Sequence, residues 1–252
     1  MTQPLPAYEP TSARAPRLLK DMHPAAVASV VADDPRLIIP VGTCEQHGPH
    51  LPLGTATIIA ERMADELSAE FGVIRAPTVE YGVNVQTERD FPGNASVRRK
   101  TLHRQLNDLL ASWEASGFRE FILLTAHDHD PHQEAMATVI TKVSRVRMVD
   151  LFAVNISDLL EGQREHMHGD EVDTSLMLYL APHLVHMELA QDEMMSREAL
   201  RRYRRGWIRV PRESAGSIGR PTLATADKGR AIFERIRDRI STRIFLSPAA
   251  VD

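Results

Sequence analysis

The sequence predicts an α/β protein with a mostly parallel central sheet and helices on both of its faces. Short apolar segments typical of buried strands alternate along the chain with segments of helical period. A chain of 252 residues, 43% of them hydrophobic, is long enough for one well-packed core. No internal repeat or linker divides the chain, so we expect one domain over residues 18–252. Residues 1–17 are rich in Pro and Ala, and we expect them to form an N-terminal arm that is poorly ordered or lies on the surface.

Strand and helix patterns already alternate in the first half of the chain. The elements predicted there are a helix at 24–32, a strand at 37–41, a helix at 57–71, a strand at 73–76 and an irregular segment at 81–97. The first strand is a fully apolar run, which is typical of a parallel strand covered on both faces. The second helix is indicated by Ile59, Met63 and Leu67, which recur at helical spacing.

The second half of the chain continues the same alternation. Its predicted elements are helices at 101–116, 131–144, 171–180 and 225–245, and strands at 121–125 and 149–154. Thr101 is a plausible N-cap of its helix and Gly117 ends it. The strand at 121–125 has the most buried character in the chain. Pro131 suits the first turn of the helix that follows.

Composition and charge argue against several classes of function. A formal net charge of -4 and a pI near 6.3 give no sign of nucleic-acid binding. The arginine-rich segment at 201–205 is interpreted as a solvated helix face or a subunit contact. No apolar run approaches the roughly 18 residues that a membrane span needs. The single cysteine, Cys44, excludes a disulfide within the chain, so we expect a reducing compartment, the cytoplasm.

The first polar cluster, Glu45-Gln46-His47, follows the first predicted strand. In an extended segment, Glu45 and His47 point to the same side. A carboxylate and an imidazole that converge in this way suit Zn, Mn or Fe. The alternative is a polar loop with a hydrogen-bonded histidine, and spacing alone does not decide between the two.

Two further clusters of histidine and acidic residues follow later in the chain. His127 and His129 come directly after the most apolar strand and share one side if the chain stays extended, whereas His132 is expected on a helix surface. His168 and Glu171 are three apart at a predicted loop-to-helix junction. Acidic residues also favour helix N-termini for electrostatic reasons alone, so a structural role for Glu171 stays open.

Several motifs of this chain resemble those of one known family. The segment 40–55, PVGTCEQHGPHLPLGT, resembles the signature of the creatininase family, the creatinine amidohydrolase-like metallohydrolases, whose usual form is close to PVGSTEQHGPHLPLGTD. Phe91-Pro92-Gly93 is similar to the family's FPGT, and residues 123–127 to its LVNGH. Residues 168–175 resemble its HAGE-x-ETS, and residues 217–229 its G-x-P…A-T-A-E-K-G stretch.

The resemblance implies a three-layer α/β/α domain that carries a two-metal site and hydrolyses C–N bonds in cyclic or linear amides. It implies that Glu45, His47, His127 and Glu171 are metal ligands, and that His168, with Glu171, belongs to the catalytic groups. The expected cofactor is one or two divalent ions, Zn first and Mn or Fe as alternatives. A small-molecule substrate and a closed homo-oligomer, a hexamer, are the expected partners.

Two departures from the family pattern affect the metal site. Ala56 stands where the family has an aspartate that bridges both metals, and a methyl group cannot bind a metal. The alanine is either native or a substitution made to trap a ligand. His129 stands where one group of relatives has a metal-binding glutamate, so we expect His129 to bind the second metal in its place.

The substrate itself is not named by the sequence. Polar residues of the irregular segment, Asn84, Gln86 and Glu88, are the candidates for substrate binding. Our first hypothesis is a metal-dependent amidohydrolase that acts on a small polar metabolite. The alternatives are a metal-dependent hydrolase or lyase for a carbocyclic or sugar-derived ring, and a binding protein whose catalysis is impaired by Ala56.

Overall fold

The computed structural model describes residues 8, 11–85, 91–205 and 214–246. Within these ranges, five strands form one parallel sheet in the order β1-β3-β2-β4-β5. The strands are β1 (Arg17–Leu18), β2 (Arg36–Pro40), β3 (Ile74–Arg75), β4 (Glu120–Thr125) and β5 (Arg145–Asp150). The α-helices are α1 (Pro24–Asp33), α2 (Thr55–Phe71), α3 (Arg99–Ala115), α4 (Asp130–Ala137), α5 (Glu171–Leu180), α6 (Arg197–Arg204) and α7 (Ala226–Ile240).

Both faces of the sheet are covered by helices. Successive residues of a strand point to opposite faces. Ile38 and Ile122 therefore join a core cluster with α2, α5 and α7. Their neighbours Leu37 and Phe121 join a second cluster with α1, α3 and α4. The predicted three-layer α/β/α architecture with a mostly parallel sheet is confirmed.

The crevice between β2 and β4 is the point where the chain turns to opposite faces of the sheet. The two strands pair in parallel, with Ile38 opposite Ile122 and Pro40 opposite Leu124. After β2 the chain passes to α2 on one face, and after β4 it passes to α4 on the other. In open α/β sheets, ligands bind at such a switch point, beyond the carboxyl ends of the strands.

Strand β5 lies four residues earlier than predicted, at Arg145–Asp150 rather than 149–154. It is an edge strand of the sheet and pairs only with β4 among the described strands. An edge strand is partly exposed, so it tolerates arginines that a continuous apolar run excludes. Arg147 accordingly forms an ion pair with Glu120 on β4. The prediction was wrong because it required an apolar run.

Helix α4 is shorter than predicted and ends at Ala137. The residues that follow it include β-branched side chains, which are poor helix formers. Side chains of helix α3 also form hydrogen bonds with the backbone of this segment. Asn107 accepts the N–H of Ile140, and the Glu114 carboxylate accepts N–H groups from residues 142–144. These side-chain bonds replace the helical ones and draw the chain away from the helix axis.

Other boundaries agree closely with the sequence. Helix α5 begins at Glu171, where the carboxylate of Asp170 accepts the N–H groups of Val172 and Asp173. Helix α3 begins at Arg99, before the predicted N-cap Thr101. Strand β1 and helix α6 were not predicted. Among the described residues, no helix is long and apolar enough to cross a lipid bilayer.

Candidate active site

The loop after β2 presents the first group of the site, the carboxylate of Glu45. Gly42 lets this loop approach α2, because a Cβ at Gly42 would lie 2.1 Å from the hydroxyl of Thr57. The N–H of Glu45 donates to the carbonyl of Leu53 at 2.9 Å. The side chain is 0% exposed, and its Oε1 accepts the N–H of Val85 at 3.3 Å. These contacts hold the carboxylate at the carboxyl end of β2.

His127, at the carboxyl end of β4, faces the other oxygen of Glu45. Its Nδ1 lies 3.1 Å from Glu45 Oε2, and its Nε2 donates to the carbonyl of Val83 at 3.0 Å. Burial lowers the pKa of His127 to about 4, so the ring is neutral at neutral pH. A neutral imidazole carries one proton, and the carbonyl of Val83 can only accept. Nδ1 therefore turns a lone pair toward the carboxylate.

The rings of His47 and His168, like that of His127, are each held by a contact between a ring nitrogen and a backbone carbonyl. Nδ1 of His47 lies 3.0 Å from the carbonyl of Glu45, which fixes the proton on Nδ1 and leaves the Nε2 lone pair free. Nε2 of His168 lies 2.8 Å from the carbonyl of Gln46. The two rings stack with centroids 4.6 Å apart. Gly169 makes this approach possible, because a Cβ there would lie 2.3 Å from the carbonyl of His47.

Glu45, His47 and His168 form a group whose potential metal-binding atoms all lie within 4.8 Å of one another. All three side chains are buried. A histidine that binds a metal through one nitrogen usually donates the other N–H to a carbonyl or carboxylate, which fixes the tautomer and the ring orientation. The site thus combines a carboxylate with imidazoles anchored in this manner.

The family-model comparison matches residues 20–244 of this chain to creatininase, described as creatinine amidohydrolase. The chain belongs to the creatininase family. The family predicted from the sequence is therefore confirmed, and with it the expected class of enzyme, an amidohydrolase-type hydrolase.

Relatives in this family differ in their substrates. The mycofactocin precursor peptide peptidase of Mycolicibacterium smegmatis is 30% identical over 223 residues, which cover 83% of this chain and 84% of the relative. The 3-dehydro-scyllo-inosose hydrolase of Thermotoga maritima is 28% identical over 233 residues, which cover 80% of this chain and 74% of the relative. A mutant creatininase of the Zn-Zn type has a TM-score of 0.75 at 22% identity, covering 89% of this chain and 97% of that structure.

Ala56, which stands at the place of the signature's aspartate, lies in the first turn of α2. Ala56 is fully buried and belongs to the core cluster that also contains Leu51, Leu124 and Ala126. His129 precedes α4 and is buried as well. Its ring lies 5.8 Å from that of His127. The structure thus brings His129 beside His127, one of the predicted ligands.

Glu171, a predicted ligand and catalytic group, makes a different set of contacts. Its carboxylate accepts the N–H groups of Glu161 and Gly162, both at 3.0 Å. It also pairs with Nζ of Lys228 at 2.7 Å. Glu171, like His127 and His129, is absent from the groups of potential metal ligands found among the described residues. In this structure its carboxylate fastens the loop before α5 to α7.

Asn84 is the one predicted substrate-binding residue that the structure describes, since Gln86 and Glu88 lie outside the described residues. Its amide nitrogen donates to the carbonyl of Cys44 at 2.7 Å, which orients the side chain. Its Oδ1 is buried and has no hydrogen-bond partner among the described residues. An oriented acceptor therefore remains beside the Glu45 loop.

His132 is buried, contrary to the expectation of a helix surface. Its Nδ1 accepts the N–H of Val83 at 3.2 Å, and its Nε2 lies 3.1 Å from the hydroxyl of Thr125. Val83 thus binds His132 through its N–H and His127 through its carbonyl. His132 helps to hold the segment that anchors His127, a role that periodicity cannot show.

His166, Asp170 and Asp173 form a second group of potential metal ligands that sequence reasoning did not select. Burial alone would lower the pKa of His166, but Asp173 and Asp170 outweigh it and hold that pKa well above its ordinary value. The ring stacks on Phe152 with centroids 3.7 Å apart. Asp173 also accepts the N–H of Gly169 at 2.8 Å, so the group fixes the turn that carries His168.

Proposed function

We propose that this protein is a metal-dependent hydrolase that cleaves a C–N bond, in a cyclic or linear amide, of a small polar metabolite. The observation that carries the proposal is the contact between His127 Nδ1 and Glu45 Oε2 at 3.1 Å. Because the proton of His127 is used by the carbonyl of Val83, two lone pairs face each other across this distance. A cation between them would turn this unfavourable contact into two favourable ones.

The donor set fits zinc. Two ligands placed about 2.0–2.1 Å from a tetrahedral ion are separated by roughly 3.3 Å, close to the separation of these two atoms. Carboxylate and imidazole donors also suit Mn and Fe, which remain alternatives. We assign Glu45, His47 and His127 as the ligands of the first ion. A mutant creatininase of the Zn-Zn type among the fold neighbours supports this choice.

A second ion is proposed at His129. Ala56 leaves that site without the bridging carboxylate found in the family's signature, so the second ion depends on His129 and water. The proposal does not include Glu171 among the ligands, because its carboxylate is occupied by Lys228 and by two backbone N–H groups.

A divalent ion, when bound, polarises the substrate carbonyl and lowers the pKa of bound water. The protein's own residues hold and orient the substrate and move protons. Burial and the neighbouring His47 hold the pKa of His168 well below its ordinary value, so its ring is neutral and can accept a proton. Its contact with the carbonyl of Gln46 keeps the ring oriented. The oriented Oδ1 of Asn84 accepts a hydrogen bond from the substrate.

We further propose that the protein works as a homohexamer in the cytoplasm. Family membership supports the closed oligomer, and the single cysteine suits a reducing compartment. The 3-dehydro-scyllo-inosose hydrolase among the relatives favours a second candidate, hydrolysis of a carbocyclic or sugar-derived ring. A binding protein impaired by Ala56 is the third.

The proposal is tested by metal content and turnover in matched variants. His47→Ala and His127→Ala should lose zinc, measured by mass spectrometry, and should lose hydrolysis of a panel of amides. The panel includes creatinine, 2-pyrrolidone, succinimide and a dipeptide amide, with an inosose added for the second candidate. His186→Ala is the control, because this histidine is exposed.

His168→Ala separates the two roles open to His168. Loss of turnover with full metal content supports proton transfer, whereas loss of metal makes His168 a ligand. Retention of zinc by both His47→Ala and His127→Ala would contradict the proposed metal site. Zinc binding without hydrolysis of any panel member would favour the binding protein.

A further inference from the structure

A small apolar cluster lies beside His168. It contains Val85, Leu200, Tyr203 and Ile218, with Phe91, Met167 and Met195 packed against them. The cluster is separate from the two cores that flank the sheet.

Two members of the cluster form hydrogen bonds with Glu45 and His168, the proposed metal ligand and proton acceptor. Val85 donates its N–H to Oε1 of Glu45 at 3.3 Å. Ile218 exchanges both backbone hydrogen bonds with His168, at 2.7 and 3.2 Å. The cluster therefore forms a wall of the site whose position relative to Glu45 and His168 is fixed by the backbone.

Tyr203, on helix α6, is the polar member of this wall. Its side chain is 2% exposed, and its ring centroid lies 6.1 Å from that of His168. The hydroxyl is buried and has no hydrogen-bond partner within the part of the chain that the structure describes. A buried tyrosine hydroxyl normally finds a partner, because leaving it without one destabilises the folded state.

We propose that Tyr203 is a substrate-binding residue whose hydroxyl donates a hydrogen bond to an oxygen of the bound substrate. This inference rests on the proposed function, because it takes the group of residues around His168 as the place of hydrolysis. With Asn84 Oδ1 as an oriented acceptor, the site offers one acceptor and one donor. A substrate with both an N–H or O–H donor and a carbonyl or hydroxyl acceptor matches this pair, and an amide carries both.

The test compares Tyr203→Phe with the wild-type protein in three measurements. Zinc content should not change, because the hydroxyl is not assigned to the metal. The melting temperature without substrate should stay equal or rise, because the variant removes a buried polar group that has no partner among the described residues. The value of kcat/KM, for the panel amide that is hydrolysed fastest, should fall about tenfold or more. A loss in kcat shows that the hydrogen bond is made in the transition state only, and a rise in KM alone shows that it is made equally in the ground state and the transition state.

Tyr179→Phe is the matched control, because Tyr179 lies on α5 against Tyr8 and Phe233. Its kcat/KM should equal that of the wild type. A melting temperature lowered by several degrees in Tyr203→Phe would show that the hydroxyl has a structural partner and would overturn the inference. Unchanged kcat/KM in Tyr203→Phe would overturn it as well.

A failure of the proposed function is recognised separately, by the absence of wild-type turnover. In that case, calorimetry with acetohydroxamate on the zinc-loaded protein replaces the kinetic measurement. This probe carries a carbonyl together with N–H and O–H groups. Its binding should be about tenfold weaker in Tyr203→Phe, which corresponds to about 1.4 kcal/mol. Equal affinity, or no binding by the wild type, would overturn the inference.

Discussion

Replacing Ala56 by aspartate tests whether position 56 faces the metal site. Ala56 lies in the first turn of α2, is 0% exposed and belongs to an apolar core cluster. Without metal, the new carboxylate would be buried among apolar side chains. With metal, it would supply the anionic bridge that the creatininase signature contains at this place.

The size of the effect follows from two opposing terms. A buried, unpaired carboxylate costs several kcal/mol, while its place at a helix N-terminus returns at most about 2 kcal/mol. We therefore expect the metal-free variant to be destabilised by about 3 kcal/mol or more. For a domain of this size that loss lowers the melting temperature by roughly 6–12 °C.

The assay is thermal unfolding with excess chelator and again with excess zinc, together with the zinc content per chain. Zinc should restore most of the lost stability, since bound cations compensate the negative charge of the carboxylate. The zinc content should rise toward two ions per chain. Ala60→Asp is the control, because Ala60 lies one turn further along α2 and is also 0% exposed. That variant should be destabilised in both conditions and gain no metal.

If zinc does not rescue Ala56→Asp, or if its metal content equals that of the wild type, position 56 is not a ligand position. The alignment of this segment with the family signature would then be wrong. The turnover of Ala56→Asp tests whether the remaining ligands still fit a bridging carboxylate. A rise by orders of magnitude would show that the remaining ligands still fit a bridging carboxylate, and little change would show that they have adapted to its absence.

Three further predictions concern stability and assembly. Glu171→Gln should keep its metal but lose about 1–3 kcal/mol of stability, measured by denaturant unfolding, because Lys228 loses its buried partner and keeps the exposed Glu161; loss of metal would contradict this. Hydrogen bonds from the Ser144 side chain and from the backbone N–H groups of residues 142–144 lower the pKa of Glu114 to about 2, below its ordinary value of 4.5. The contribution of the Glu114 carboxylate to stability is therefore complete above pH 4.5 and is lost as the pH falls toward 2. The difference in stability between the wild type and Glu114→Gln should shrink over that window, and a difference that is constant with pH would refute this. Light scattering at micromolar concentration should give the mass of a hexamer, and a monomeric mass would exclude it. The proposed subunit contact is the Met- and Arg-rich segment 187–207, of which the structure describes residues 187–205.

The sequence predicts the layers of this fold well, because its buried elements carry strong periodic signals. Strand β2 and helix α2 lie within about two residues of their predicted positions, since apolar runs and helical spacing reflect burial directly. Strand β5 and the end of α4 were misplaced. Their limits depend on contacts with other elements, an edge position in one case and capture by Asn107 and Glu114 in the other.

The sequence by itself determined the family and the architecture, and it predicted the group of residues in which the proposed site lies. It did so because Glu45, His47 and His127 follow strands directly and belong to long, specific motifs. Only the tertiary structure decided how individual side chains are used. Glu171 is bound by Lys228, 57 residues away, and Tyr203 comes to lie beside His168 from a separate helix. Such contacts depend on which elements pack together, and neither spacing nor residue type along the chain contains that information.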